Sequence, residues 1–156
     1  MATEFGILGE LQCRQDGALR DLGPWLQRSL LAHLLIRPDQ PIATERLMDE
    51  LWPDEAPDVA RHRLHVHDSR LRAALGDERE RLVGDTTGYR LIVQPDELDA
   101  SRFVALADEG RVALDGGDPA AAEERLTEAL AVWRGPALVE FADESFARSE
   151  AERLEQ

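Results

Sequence analysis

Arginine and histidine side chains cluster at residues 58–76, which read DVARHRLHVHDSRLRAALG. Four arginines against two aspartates give residues 58–75 a formal charge of +2, before any histidine is protonated. The segment RLVGDTTGYRLIV follows at residues 81–93 and has the glycine-tipped pattern of a β-hairpin. A positive helix backed by a hairpin is the arrangement with which a winged helix binds DNA, the helix in the major groove and the hairpin on the backbone. These residues therefore predict an interface for double-stranded DNA.

The overall charge of the chain opposes this prediction. The 156 residues hold 18 arginines, no lysine and 32 acidic residues, a net charge of −14. The excess is uneven, because residues 1–95 carry 12 arginines against 16 acids, whereas residues 96–156 carry 6 against 16. DNA-binding domains are usually far more basic. The prediction therefore depends on the local positive patch and not on the whole chain.

The same composition excludes several classes of protein. Without lysine there is no Schiff-base or P-loop lysine, and no nucleophile–base set is visible, so we expect no enzyme and no cofactor. A single cysteine excludes an internal disulfide framework. No signal peptide and no apolar run of roughly 18 residues is present, which predicts a cytoplasmic protein without a membrane span.

Three histidines in the helix raise the alternative of a metal site. Only His62 and His65 have a spacing that places two ligands on one helix face, whereas His67 points towards the core edge. No cysteine lies nearby, and a structural zinc site usually needs four ligands. The sequence therefore predicts no metal site. Protonation of these histidines would instead make DNA affinity sensitive to pH.

Alternating apolar residues predict strands in the first twenty residues, with a turn at Asp16-Gly17. Apolar periodicity then predicts three helices. The first opens at Gly23-Pro24, Thr44 is expected to cap the second, and Asp58 is expected to cap the third, which Gly76 ends. Two strands around GDTTG complete an α+β unit.

Helical patterns fill the chain after Pro95–Glu97. One apolar stripe runs from Phe103 to Leu114, Asp118 and Pro119 restart the chain after two glycines, and a second stripe ends at Trp133. Two such helices joined by a tight turn are similar to a tetratricopeptide hairpin, and such units need neighbours to bury their faces. We therefore expect the chain to be an N-terminal piece of a longer protein or to dimerise.

Six motifs in this order resemble the Streptomyces antibiotic regulatory protein family of actinobacteria. They are FGILGEL at 5–11, ERLMDELWPDEAP at 45–57, SRLRAALG at 69–76, GYRL at 88–91, DELDASRF at 96–103 and WRGPAL at 133–138. The resemblance implies an α+β winged helix-turn-helix of the OmpR type at residues 1–95. It also implies the start of an all-α, tetratricopeptide-like bacterial transcriptional activation domain at residues 96–156, which is shorter here than is usual in the family.

The resemblance implies a transcription activator that binds direct repeats at promoters, contacts RNA polymerase through its sigma or alpha subunit, and self-associates on DNA. The helix stripe through Leu64 and Leu71 should be buried, which leaves the opposite side for DNA. The residues expected to contact DNA are Arg61, His62, Arg63, His65, Val66, Ser69, Arg70, Arg72, Thr86, Thr87 and Arg90. An ordinary solvated helix face and a plain β-turn are the alternatives.

Acidic residues mark three further features. Asp68 lies at the margin of the buried stripe, so we expect an ion pair with Arg72 at i+4, which would withdraw one charge from DNA. The loop residues Trp52, Asp54 and Glu55 occupy the position where OmpR-type domains contact polymerase, although Trp52 itself suits core packing better. The acidity also favours an alternative function, a protein-interaction module whose DNA binding is weakened or autoinhibited by the acidic C-terminal segment.

Overall fold

The computed structural model describes residues 2–155, which form two compact units. The strands are β1 (Thr3–Gly6), β2 (Gln12–Gln15), β3 (Ala18–Leu19), β4 (Ile42–Ala43), β5 (Leu82–Gly84) and β6 (Gly88–Leu91). The helices are α1 (Trp25–Leu35), α2 (Thr44–Leu51), α3 (Pro57–Leu75), α4 (Asp99–Asp115), α5 (Pro119–Ala131) and α6 (Ser145–Glu155). Short 3₁₀ turns span Gly76–Arg81, Pro95–Glu97 and Val139–Phe141. The order confirms an α+β winged helix followed by a helical segment.

The unit of residues 13–94 contains three helices that pack on one another and on a sheet of β4, β5 and β6, together with the hairpin of β2 and β3. β2 and β3 form the first hairpin around Asp16-Gly17, as predicted. β6 is the central strand of the other sheet, with β4 and β5 on its two sides. The core of the unit of residues 13–94 is built from leucines, and the burial of each one stabilises the fold by about 1.5–3 kcal/mol. They are Leu30, Leu34, Leu47, Leu64, Leu71, Leu75, Leu82 and Leu91.

The two ends of helix α3 depend on different residue types, a proline at the start and a glycine at the end. Pro57 occupies its first turn and Ala56 is the N-cap, so the prediction that Asp58 caps it was wrong. Proline suits this position because its missing N–H would have no partner there in any case. At the other end Gly76 adopts φ 59° and closes the helix, as predicted. The Arg20 guanidinium and the Gln15 amide donate to the last carbonyls, Ala74 O and Leu75 O.

The start of α2 also differs from the prediction. Thr44 is its first helical residue and makes no side-chain cap, while Ala43 is the N-cap. The Thr44 amide donates instead to the Thr87 carbonyl at 3.1 Å, across the pairing of β4 with β6. The hairpin therefore satisfies a donor at the helix terminus that a capping side chain would otherwise satisfy.

The second unit combines the residues before 13 with those from 95 onward. Its N-terminal segment is held by α4. Phe5 forms a parallel bridge with Leu98, and the amides of Ile7 and Leu8 donate to the Asp99 carboxylate at 2.8 and 2.9 Å. Asp99 is 4% exposed and lies 3.6 Å from the Arg134 guanidinium.

Helices α4 and α5 pack as an antiparallel pair around Gly110, where a Cβ would meet Leu126 at 2.8 Å. The Asp118 side chain caps α5 by accepting from the Ala121 amide, as predicted. Phe103 and Trp133 contact edge to face at 5.2 Å. The predicted apolar stripes are only partly buried, because Leu114 and Leu130 are 57% and 70% exposed.

Candidate nucleic-acid interface

Helix α3 has one face in the core and one in solvent. The buried positions follow the helical repeat and are Ala60, Leu64, Asp68, Leu71 and Leu75. Among the predicted DNA-contacting residues of α3, Val66 and Arg72 are half-buried. The exposed ones are Arg61, His62, Arg63, His65, Ser69 and Arg70. The helix thus presents cationic and hydrogen-bonding side chains to solvent over several turns, as predicted.

A groove of about 540 Å³ separates α3 from the β5–β6 hairpin. Its helix side carries two arginines, Arg61 and Arg72, and one histidine, His65. Its hairpin side consists of Gly84, Asp85, Thr86 and Tyr89, and Thr44 closes one end. Helix and hairpin therefore flank a concave, polar channel whose walls come from the two elements that a winged helix applies to DNA.

A partly buried ion pair lies in the lining of this groove. Arg72 Nε donates to the Asp68 carboxylate at 3.1 Å, which confirms the predicted i, i+4 pair. The Asp68 side chain is 11% exposed and that of Arg72 is 32% exposed. Burial raises the pKa of Asp68 above its ordinary value, and the charge and hydrogen bond of Arg72 oppose that rise. The pair therefore holds a carboxylate where the helix would otherwise bury an apolar side chain.

Arg72 also reaches the hairpin. Its Nη2 atom lies 3.4 Å from the point where a Cβ on Gly84 would stand, and the Tyr89 ring lies 2.9 Å from the same point. A side chain at Gly84 would displace one of these groups. Burial and the Asp68 charge both raise the pKa of Tyr89, so its hydroxyl stays neutral. The Arg72 guanidinium thus lies close to Gly84 of the hairpin, and both residues line the groove.

An aspartate organises the tip of the hairpin. Asp85 accepts from the Thr87 amide at 2.7 Å, the Thr87 hydroxyl at 2.6 Å and the Gly88 amide at 3.0 Å. These hydrogen bonds lower the pKa of Asp85. The Thr87 hydroxyl is therefore already engaged, whereas Thr86 is exposed. Position 88 requires a glycine, because a Cβ there would lie 2.2 Å from the Ile42 carbonyl oxygen.

Carboxylates from outside α3 lie next to the predicted DNA-contacting arginines. Arg61 lies 3.9 Å from Glu45, and Arg63 lies 3.4 Å from Glu55. On β6, Arg90 lies 3.0 Å from Asp39. With the Asp68–Arg72 pair, four of the five predicted arginines have an acidic neighbour. Within residues 2–155, Arg70 is the predicted arginine for which no such pair is seen.

The loop before α3 is anchored by a ring stack. Trp52 is 6% exposed and stacks on His67 with ring centroids 5.7 Å apart, so its ring belongs to the core and is not available to a partner. Burial lowers the pKa of His67, and the charges of Arg70 and Arg63 lower it further. Asp54 and Glu55 are exposed. The acidic side chains of this loop thus face solvent beside a fixed anchor.

The groove brings together four of the predicted DNA-contacting residues, Arg61, His65, Arg72 and Thr86, while the other seven lie outside its lining. Thr44, Leu64 and Tyr89 also line the groove, and Asp39 and Glu45 pair with Arg90 and Arg61; none of these five had been predicted as a site residue. The alternation in GYRL was the available signal for Tyr89. In the same described residues, no three histidine, cysteine or acidic side chains gather as metal ligands, and no helix has the length and apolarity to cross a membrane.

A cationic helix flanked by a β-hairpin defines a winged-helix domain of the regulator class. Residues 26–91 match the family model described as "Transcriptional regulatory protein, C terminal", and residues 98–156 match the "Bacterial transcriptional activator domain". The chain belongs to the Streptomyces antibiotic regulatory protein family, in which these two domains are joined.

Two named regulators and one solved structure are similar to this chain over nearly its whole length. The "Transcriptional regulatory protein EmbR" of Mycobacterium tuberculosis is 36% identical over 155 residues, which are 97% of this chain and 40% of that protein. The "Transcriptional regulator RedD" of Streptomyces coelicolor is 34% identical over 160 residues, 99% of this chain and 45% of the relative. A solved structure of Mycobacterium tuberculosis EmbR in complex with a low affinity phosphopeptide matches with a TM-score of 0.90, at 36% identity, over 97% of this chain and 41% of that one. The chain therefore spans less than half the length of these relatives.

Proposed function

We propose that this chain is a sequence-specific DNA-binding transcriptional activator. The observation that carries the proposal is the exposed polar face of α3 beside the groove, which places cationic side chains and the hairpin on the same side of one unit. An α-helix fits the major groove, and arginine is the residue that most often reads guanine there. The relatives are named as transcriptional regulators, which supports the same function.

In the proposed complex α3 lies in the major groove. Arg63 and His62 reach base edges, and Val66 packs against a thymine methyl group. Arg61, His65, Ser69 and Arg70 donate to phosphates along the rim, which fixes the register of the helix. Arg72 keeps its bond to Asp68 and contributes by supporting the hairpin, so its role is weaker than the sequence suggested.

The hairpin lies along the sugar–phosphate backbone. Thr86 donates from the exposed tip, and Arg90 approaches once it leaves Asp39. Thr87 contributes through the turn that its hydroxyl helps to fix, because that hydroxyl is bonded to Asp85. The contact between the tip and the sugar–phosphate backbone then depends on the backbone conformation of the tip and not on a cationic side chain.

Activation requires a second partner. We assign RNA polymerase, through its sigma or alpha subunit, to the acidic loop side chains Asp54 and Glu55, whose charge complements a basic patch. Direct repeats would place copies head to tail, so self-association occurs on DNA. These finer roles rest on the exposed acids of the loop and on the family.

The first test is a fluorescence-anisotropy titration of the chain into labelled duplexes from direct-repeat pools, between about 50 and 200 mM salt. Arg70→Ala is expected to weaken all duplexes alike and to reduce the slope of log affinity against log salt by about 0.9, because one phosphate contact is lost. Arg63→Ala is expected to weaken binding to the tightest-binding duplexes by about 1–3 kcal/mol and to reduce the difference in affinity between sequences.

Arg148→Ala provides the matched control. Arg148 is an exposed arginine of α6, so its replacement changes the net charge equally while leaving α3 intact. If the control weakens binding as much as Arg70→Ala, α3 is not the contact. If no duplex binds at the lowest salt, the chain is instead a protein-interaction module, which the four arginine–carboxylate pairs and the net charge of −14 would then explain.

A further inference from the structure

Three carboxylates surround the proposed DNA-reading surface without belonging to α3. Asp39 precedes β4, Glu45 lies on α2, and Glu55 lies in the loop before α3. Each lies within 4 Å of one predicted DNA-contacting arginine, at 3.0, 3.9 and 3.4 Å respectively. The three carboxylates come from separate segments, so their pairing with arginines does not arise from one local sequence pattern.

We infer that Asp39, Glu45 and Glu55 are specificity-determining residues that restrain Arg90, Arg61 and Arg63 until the correct DNA sequence is present. The inference rests on the proposed function. A non-specific duplex offers only phosphates, and an arginine that is already paired gains little by exchanging a carboxylate for a phosphate. A correct sequence adds base contacts, which make the exchange favourable.

The exposure of these pairs suits such an exchange. The paired side chains are between 37% and 70% exposed, so water can replace either partner while the pair opens. Exposed pairs of this kind contribute little to folding. A buried pair such as Asp68–Arg72 would not open in this way. The three carboxylates therefore act on DNA selection with little effect on stability.

The test uses the full chain carrying Asp39→Asn, Glu45→Gln and Glu55→Gln together. Affinity is measured for a duplex selected by the wild-type chain from a random pool and for an unrelated duplex of equal length. We expect affinity for the unrelated duplex to rise on the order of tenfold at about 100 mM salt, and affinity for the selected duplex to rise less. The salt slope on the unrelated duplex should steepen by about 2.7, about 0.9 for each of the three freed arginines that now contacts a phosphate.

The matched control replaces three other exposed acids of the same unit, Asp49→Asn, Asp77→Asn and Glu80→Gln, for which the described residues show no ion pair. It changes net charge equally and is expected to leave the ratio of the two affinities unchanged. Unfolding in urea should be alike for all three proteins, which excludes a folding effect.

The outcomes separate this inference from the proposed function. If the wild-type chain binds its selected duplex but both triple variants shift the two affinities alike, the inference is overturned and DNA binding stands. If the variant carrying Asp39→Asn, Glu45→Gln and Glu55→Gln gains equally on both duplexes, the inference is overturned too. If the wild-type chain and both variants bind no duplex, the proposed function fails and the inference fails with it.

Discussion

At the Asp68–Arg72 pair, we predict that Asp68→Asn raises the free energy of unfolding and that Arg72→Ala lowers it. Asp68→Asn removes the charge from a side chain that is 11% exposed, and the asparagine oxygen can still accept from Arg72 Nε. Arg72→Ala instead leaves the carboxylate charged and buried without its partner. Because burial is the dominant influence on the raised pKa of Asp68, the ionised form is the unfavourable one in the folded state.

The magnitudes follow from the exposure of the pair. Asp68→Asn removes only the carboxylate charge, but Arg72 is 32% exposed, so its guanidinium can be hydrated in place of the lost pair. We therefore expect a gain of about 1 kcal/mol at pH 7, the lower end of the range of about 1–4 kcal/mol seen when a whole buried pair is replaced by uncharged groups. Arg72→Ala should cost about 2–3 kcal/mol, below the figure for a fully buried pair, because Arg72 is 32% exposed. In the Asp68→Asn background the loss of Arg72 should cost less, since no charge is then stranded.

The stability that Asp68→Asn gains over the wild type should decrease as the pH falls. Above the raised pKa, Asp68 is ionised in both the folded and the unfolded chain, so the cost of burying the charge is fully present. As the pH falls through that pKa towards the ordinary value of 3.8, the folded chain takes up the proton first and the cost is lost. The advantage of Asp68→Asn should therefore be greatest near neutral pH and disappear in acid.

The assay is urea unfolding in a Trp133→Phe background, which leaves Trp25 and Trp52 as fluorescent reporters within residues 13–94. Unfolding free energies are compared between wild type, both single variants and the double variant at several pH values. The reasoning is refuted if Asp68→Asn destabilises the unit as much as Arg72→Ala does. It is equally refuted if the advantage of Asp68→Asn grows as the pH falls.

Two further predictions concern the scaffold. Gly88→Ala should destabilise residues 13–94 by about 2–3 kcal/mol in urea unfolding, because its Cβ would meet the Ile42 carbonyl oxygen at 2.2 Å, whereas Thr86→Ala at the exposed tip should change little. Asp99→Ala should lower the stability of the helical unit by about 2–4 kcal/mol, measured by circular dichroism, because it leaves the buried amides of Ile7 and Leu8 without acceptors. Equal losses in Thr86→Ala would contradict the first prediction.

Much of α3 was predictable because its signals are local. The helical repeat identified the buried face, Gly76 marked the end, and the i, i+4 spacing identified Arg72 as the partner of Asp68. The caps were less predictable, since the amide of Thr44 is satisfied by the carbonyl of Thr87 in a distant hairpin. Pro57 carried a helix-start signal that outweighed the capping tendency of Asp58.

The electrostatic surroundings of the arginines were not predictable. Glu45 and Arg61 are 16 positions apart, and Asp39 and Arg90 are 51 apart, so no helical or strand spacing relates them. Only the fold brings these charges together. The bridge from Phe5 to Leu98 was unpredictable for the same reason, because it joins residues that the sequence separates by nearly the whole winged helix.

The pairing of these arginines reconciles an acidic chain with DNA binding. Screening limits exposed charges to a range of about 8–10 Å, so the net charge of −14 matters less than the carboxylates in contact with the reading surface. A surface whose arginines are largely paired obtains less of its affinity from phosphate charge and more from base contacts and shape. The binding we propose is therefore weaker on random DNA, and less dependent on salt, than binding by a winged helix with unpaired cations. Acidity then becomes a means of selecting sequences and not an argument against the function.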